Sequence, residues 1–177
     1  MGLIKSAVKW IAIFGLILLL SSYLLPRNLF VARVTAIDAP PEAVFAQINS
    51  LQQFAKWSPW ADEDPNMQTT FSGPVTGVGN RMEWQSDNPN VGSGSQIITA
   101  SIENEMVGTM LDFGEMGQGR ADFRISEKEG GTAVEWNFQT DLGLNPISRW
   151  MGLVISESVG EDYERGLERL KATAEAQ

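Results

Sequence analysis

Neither cysteine nor histidine occurs anywhere in the 177 residues. The first absence removes thiol nucleophiles and disulfides, and the second removes imidazole acid–base chemistry. Together they remove the usual zinc, haem and iron–sulfur ligand sets, so no metal and no cofactor is expected. A cysteine-free domain suits a reducing or an oxidising compartment equally. Positive charge is scarce too. There are 13 Lys and Arg against 22 Asp and Glu, for a net charge of −9. No basic stripe offers itself to phosphates, which argues against a nucleic-acid partner. Internal repeats and low-complexity tracts are missing as well, so the length is that of one domain plus an appendage.

The appendage is N-terminal. Trp10 to Leu25 (WIAIFGLILLLSSYLL) carries no charge, and with Ala7 and Val8 the apolar segment approaches the roughly 20 residues that cross a bilayer. A cleaved signal peptide would need a small-x-small site, and Ser21-Ser22-Tyr23-Leu24-Leu25-Pro26 supplies none that convinces. The favoured reading is an uncleaved single-pass anchor over residues 1–27, with Trp10 and Tyr23 at its two interfaces. Lys5 and Lys9 precede the span and Arg27 and Arg33 follow it, a nearly balanced signal. With the amino group added, the expectation is an N-terminus inside and a domain, 28–177, in the periplasm or outside. Leaving out Lys5 and Lys9, 11 basic residues face 22 acidic ones, so this domain is near −11. Pro26-Arg27-Asn28 is the only linker, too short to carry the domain far from a membrane.

The remainder reads as α+β. Leu29–Ile37 alternates like a strand, Pro40-Pro41-Glu42 opens a short helix, and a second short helix runs from Leu51 to Trp57, stopped by Ser58-Pro59. Six strands follow, over 67–73, 80–87, 95–104, 105–113, 119–128 and 132–141. The tight Gly- and Asn-rich turns between them make them antiparallel neighbours. Asn145-Pro146 then opens a long helix, with Ile147, Trp150, Met151, Val154, Ile155, Tyr163, Leu167 and Leu170 recurring at intervals of three and four. Gly152 and Gly160 interrupt it, either to permit a bend or to allow close packing.

Within FAKWSPWADEDP (54–65), Phe54, Trp57 and Trp60 crowd together ahead of Asp62, Glu63 and Asp64. The two tryptophans are expected to plug a core, with Trp60 able to touch a ligand. The three acids read as a solvated loop, since consecutive carboxylates do not converge on one cation. Elsewhere the strands sort their charges. Arg81 and Glu83 oppose Met82 and Trp84; Arg120, Asp122 and Arg124 oppose Ala121, Phe123 and Ile125; Glu135 opposes Trp136. A solvent face against a lined interior explains this, with Arg–Glu pairs outside. Asp112 alone shares a side with Met106, Gly108 and Met110, so either the register slips there or one acid enters the interior.

The order strand, two short helices, six strands and long helix resembles the START-like, helix-grip superfamily, and within it the polyketide cyclase/dehydrase and lipid-transport type of domain. The matching stretches are VTAIDAPPEAVFAQINSLQQFAKWSPW (34–60), GPVTGVGNRMEW (73–84), GTAVEWNF (131–138) and GEDYERGLERLK (160–171), and the resemblance spans Leu29 to Ala174. It implies a curved antiparallel sheet of about seven strands around the C-terminal helix, often with an apolar cavity between them. The residues expected to line that cavity are Trp57, Trp60, Met82, Trp84, Met106, Met110, Asp112, Trp136, Trp150 and Met151. Methionine suits a surface meeting varied apolar ligands.

Three functions follow. The first is a membrane-anchored binding domain for a lipid or other hydrophobic small molecule, acting as carrier or sensor. The second is a cyclase or hydrolase working through carboxylates (Glu83, Asp112, Glu115 or Glu135), which needs an interior acid of raised pKa. The third is an envelope interaction module with a vestigial cavity. No residue stands out as catalytic, and an enzyme is the less favoured reading.

Overall fold

The computed structural model describes residues 2–89 and 91–176. Helix α1 (Gly2–Ser22) is followed by strand β1 (Asn28–Ile37), the short helices α2 (Pro41–Ile48) and α3 (Leu51–Trp57), and a 3-10 turn at Pro59–Asp62. Strands β2 (Gln68–Ser72), β3 (Arg81–Gln85), β4 (Ser93–Ile102), β5 (Met106–Asp112), β6 (Gln118–Lys128) and β7 (Gly131–Asp141) come next. Helix α4 (Pro146–Glu175) closes the chain. All pairings are antiparallel, and the sheet order is β1-β7-β6-β5-β4-β3-β2. Six strands are thus consecutive hairpins, and β1 returns to the far edge beside β7. This is the helix-grip α+β architecture that the element order implies.

Each element has a local cause. Pro41 stands at the start of α2, where its missing N–H removes no bond. Helix α3 has no side-chain cap of its own. Instead the buried Asn80 accepts from the Leu51 N–H at 2.7 Å and donates to the Pro74 carbonyl at 2.7 Å, which ties α3 to the entry of β3. Helix α4 starts at Asn145, whose side chain accepts from the Ile147 N–H at 2.9 Å, with Pro146 next. Between Ile98 and Ala100 the β4–β5 register shifts, a bulge that bends this long pair.

The buried set lies between the sheet and the helices. It includes Val31 and Ile37 from β1, Val44 and Ile48 from α2, Ile98, Val107, Phe123, Val134 and Trp136 from the sheet, and Tyr163, Leu167 and Leu170 from α4. On β6 and β7, Ala121, Phe123, Ile125, Val134, Trp136 and Phe138 face in, while Arg120, Arg124 and Glu135 face out as alternation requires. Bare glycines admit rings on the inner face. A Cβ on Gly119 would stand 2.4 Å from the Phe138 ring, and one on Gly94 would stand 2.5 Å from the Trp84 ring.

The glycines of α4 serve packing. A Cβ on Gly152 would meet Leu142 Cδ1 at 2.5 Å, and one on Gly160 would meet the Arg33 guanidinium. Those neighbours are ends of flexible side chains and can swing aside. Gly166 differs, because its Cβ would meet the Trp136 ring at 2.7 Å and Pro59 Cδ at 3.1 Å. Gly166→Ala is therefore expected to lose about 1–3 kcal/mol despite better helix propensity. Gly152→Ala is expected to stay within about 1 kcal/mol of the parent, since propensity and the Leu142 shift oppose each other. Urea unfolding checks both, and equal effects at the two positions would contradict this assignment.

Candidate functional site

Six aromatic rings fill the centre of the grip. Trp136 on β7 stacks on Tyr163 of α4 with centroids 3.7 Å apart and planes at 11°, and on Phe123 of β6 at 4.8 Å. Trp57, Phe54 and Trp60 meet Trp136 edge-on at 5.7, 5.9 and 6.1 Å. Trp57 is fully buried and its Nε1–H donates to the Gln47 carbonyl at 3.2 Å. Trp60 sits at the rim, half-buried, and its Nε1–H donates to Asp162 at 3.2 Å. Ser58-Pro59 separates the two so that one ring enters the core and the other borders it. Among the described residues, the Trp136 Nε1–H is the single buried side-chain polar atom without a hydrogen-bond partner.

Beside this plug the inner face continues over β2 to β5 without the same closure. Phe71, Trp84, Leu111 and Phe113 are apolar, packed against the core and only half-buried. Trp84 and Phe113 meet edge to face at 6.1 Å. Met82 is buried next to them, opposite Phe71. Under this strip Gln96 donates to Thr109 at 3.1 Å, and Thr109 donates to the Ala121 carbonyl at 3.0 Å. The result is a half-exposed apolar strip, called the trough below, over a satisfied polar pair.

The residues expected around one cavity therefore divide. Trp57 and Trp136 form the plug, Trp60 its rim, and Met82 and Trp84 the trough. Met106, Met110 and Asp112 lie on the outer face of β5, because Val107, Thr109 and Leu111 take the inner one. Met106 borders an open depression of about 780 Å³ on that outer face, shared with Arg120, Asp122 and Arg124. Trp150 turns away from the sheet and donates to the Leu18 carbonyl of α1 at 3.1 Å, and Met151 is exposed. Sequence alternation misplaced the β5 methionines because an apolar residue on an outer face reads like an inner one.

The acids follow the same division. Asp112 sits where β5 ends and accepts from Gln118 Nε2 at 2.9 Å and the Gly114 N–H at 2.8 Å. The Gln118 bond first, then the Gly114 N–H, hold its carboxyl below the usual carboxylate range, the opposite of an interior acid. Glu83 and Glu135 face outward, Glu83 beside Arg81 at 2.9 Å. Asp62 pairs with Arg169 at 2.7 Å and Glu63 with Arg165 at 3.1 Å, while Asp64 accepts from Ser86. The consecutive acids thus diverge onto separate partners. Among the described residues no three acidic side chains gather around one point.

One carboxyl at the plug went unnoticed in the sequence. Asp162 accepts from Trp60 and from Arg165, the latter at 2.6 Å. Its helical spacing with Val159 and Gly166 on the plug side was the available signal. Burial raises its pKa, and Arg165 and the Trp60 bond oppose that without cancelling it. A raised folded-state pKa means that the folded chain holds this proton to higher pH than the unfolded one. Its contribution therefore favours folding at low pH and is lost as pH rises from 3.8 through the raised value. Asp162→Asn keeps an acceptor for Trp60. The unfolding free energy of the variant relative to the parent is expected to rise with pH across that interval. A difference independent of pH would show that this carboxyl titrates normally.

The chain's relatives fit this geometry. No curated protein sequence matches the chain. Among solved structures, it resembles a protein of unknown function, SA2116, from Staphylococcus aureus, with a TM-score of 0.64, 13% identity, and 84% of this chain and 94% of that one covered. It also resembles Ara h 8.0201, with a TM-score of 0.62, 11% identity and 85% and 99% covered. The di-domain ARO/CYC StfQ from the steffimycin biosynthetic pathway matches with a TM-score of 0.62, 7% identity and 84% and 51% covered. At such identities these likenesses show the fold. The sequence itself matches a family model over residues 30–175, nearly the whole of the chain after α1, and so the protein belongs to the polyketide cyclase / dehydrase and lipid transport family.

Proposed function

We propose that this protein is a membrane-anchored carrier or sensor that holds a lipid or another hydrophobic small molecule in the trough beside the aromatic plug. The observation that carries the reading is the half-open strip Phe71–Trp84–Leu111–Phe113 on the inner face of an otherwise closed grip. Apolar side chains kept half-bare inside a concave fold are what an apolar ligand would cover, at about 25 cal/mol for each Å² removed from water. The family's description includes lipid transport, which agrees.

The anchor belongs to the same reading. Lys5–Ser22 is long and apolar enough to cross a membrane. We place residues 1–27 in that role, with the N-terminus inside and the domain 28–177 in the periplasm or outside. A ligand that partitions into lipid is then met at raised local concentration. The carboxylate-enzyme alternative has less support. Asp112, Glu83 and Glu135 face outward, and the one shifted acid at the plug, Asp162, is engaged by Trp60 and Arg165.

The test uses full-length protein in nanodiscs doped with a photoactivatable fatty acid, read by peptide mass spectrometry after irradiation. Adducts are expected on peptides carrying Trp60, Trp84, Leu111 and Phe113. Leu111→Asp puts a charge against the acyl chain and is expected to cut those adducts at least about tenfold while the half-exposed site tolerates the change. Adducts confined to α1, with none on the trough in either protein, would favour an interaction module instead.

A further inference from the structure

Apart from Ser148 and the buried Arg149, the first third of α4 is apolar. Ile147 and Val154 are 70% exposed, Trp150 is 38% exposed, and Met151, Leu153 and Ile155 are open as well. The loop before it adds Leu144, and the turn after α1 adds Leu24 at 87%. On the outward face the character then switches abruptly. Ile147, Trp150, Met151 and Val154 are succeeded at the same helical spacing by Glu157, Glu161, Arg165 and Glu168, all exposed. A solvated helix has a polar outward face along its whole length, and a helix that is apolar all round belongs in an apolar medium. Only the end of α4 near its start breaks this rule.

That end is also the one fastened to α1. Trp150 Nε1–H donates to the Leu18 carbonyl at 3.1 Å. The buried Arg149 donates to the Gly143 carbonyl at 3.1 Å, approaches the Ser22 carbonyl at 3.5 Å, and lies 5.4 Å over the Tyr23 ring. Its cation thus sits at the C-terminal end of α1, where the helix dipole favours it. Leu18 lies four residues inside the end of the apolar stretch Lys5–Ser22, about 6 Å along the axis. If α1 crosses a bilayer, Trp150 is held at or below the level where the span ends. Arg149, whose charge is occupied by carbonyls and a ring, is the only charged side chain between Leu142 and Ser156.

We infer that the segment Leu144–Ile155 is a second membrane-contacting element, sunk into the headgroup and upper acyl region beside α1, with Glu157 marking the return to water. The occupant of this patch is the lipid bilayer, and the inference rests on α1 being a membrane anchor as proposed above. Trp150 then acts as an interfacial ring packed between α1 and the bilayer. The apolar cover of Ile147 and Val154 is lipid, and the domain is held at one tilt rather than swinging on its linker.

The absence of cysteine makes the test direct. Single substitutions Ile147→Cys, Val154→Cys, Glu168→Cys and Leu16→Cys, each at an exposed site, are spin-labelled in the full-length protein. The proteins are placed in phosphatidylcholine nanodiscs and probed for accessibility to oxygen and to a water-soluble nickel chelate. Labels at 147 and 154 are expected to match the oxygen-rich, nickel-poor signature of position 16, and position 168 the reverse. Nickel access at 147 and 154 with position 16 shielded would overturn the inference and leave the anchor standing. Nickel access at position 16 would sink the anchor and this inference together. Shielding of 147 and 154 from both reagents would mean that protein, such as a second copy, covers the patch, and would also overturn it.

Discussion

The contact between Trp136 and Tyr163 decides how the sheet and the long helix meet. Two flat rings at 3.7 Å leave no room for a side chain between them, so α4 is fixed against β7 at that point. The approach is possible because Gly166, one turn further on, has no Cβ to strike the same indole. Burying a tryptophan is worth about 4–6 kcal/mol by area, and each favourable ring pair adds about 0.5–1.5 kcal/mol. No other cluster in the described chain concentrates as much. Burial of the Tyr163 hydroxyl, which pushes its pKa well above the ordinary value, is a consequence of the same packing.

A solid centre has an effect on the remainder of the inner face. Aromatic volume is spent on the half of the grip closed by α3 and the 3-10 turn at Pro59–Asp62, where Trp57 and Trp60 arrive from WSPW. The strip over β2 to β5 carries Phe71, Trp84, Leu111 and Phe113, which remain half-buried beside the buried Met82. The fold thus separates a part that holds the structure together from a part whose apolar side chains stay half-bare.

The sheet and its order were legible in the sequence because they follow from local signals. Turn residues at close intervals leave an antiparallel meander as the sole arrangement, and Pro41, Ser58-Pro59 and Asn145-Pro146 mark helix boundaries. The plug was legible as a role for Trp57 and Trp60, since bulky rings flanking a Ser-Pro have few other uses. Met82 and Trp84 were legible as inner-face residues of β3. Inner and outer faces of β5 were not. Met106 and Met110 are apolar on the outside, and Val107, Thr109 and Leu111 are no more apolar inside, so alternation gives no sign of which set is buried. Nor was the partner of Trp150, because a contact between residues 132 positions apart leaves no local trace.

A tether and a fixed mount differ physically, and the joint of this protein belongs to the second kind. A flexible linker raises local concentration but leaves the domain free to rotate. Here Tyr23 to Arg27 are the only residues between α1 and β1, and they are clamped from both sides. Arg27 forks onto Asp141 at the end of β7, with bonds of 2.8 and 2.6 Å, and lowers that carboxyl to a pKa of about 2 chiefly through this bond. Arg149 and Trp150 grip the other side through the carbonyls of α1. An exposed ion pair alone is worth little, yet these attachments across a five-residue joint leave few rotations open. The orientation of the domain relative to α1 is thus part of the fold.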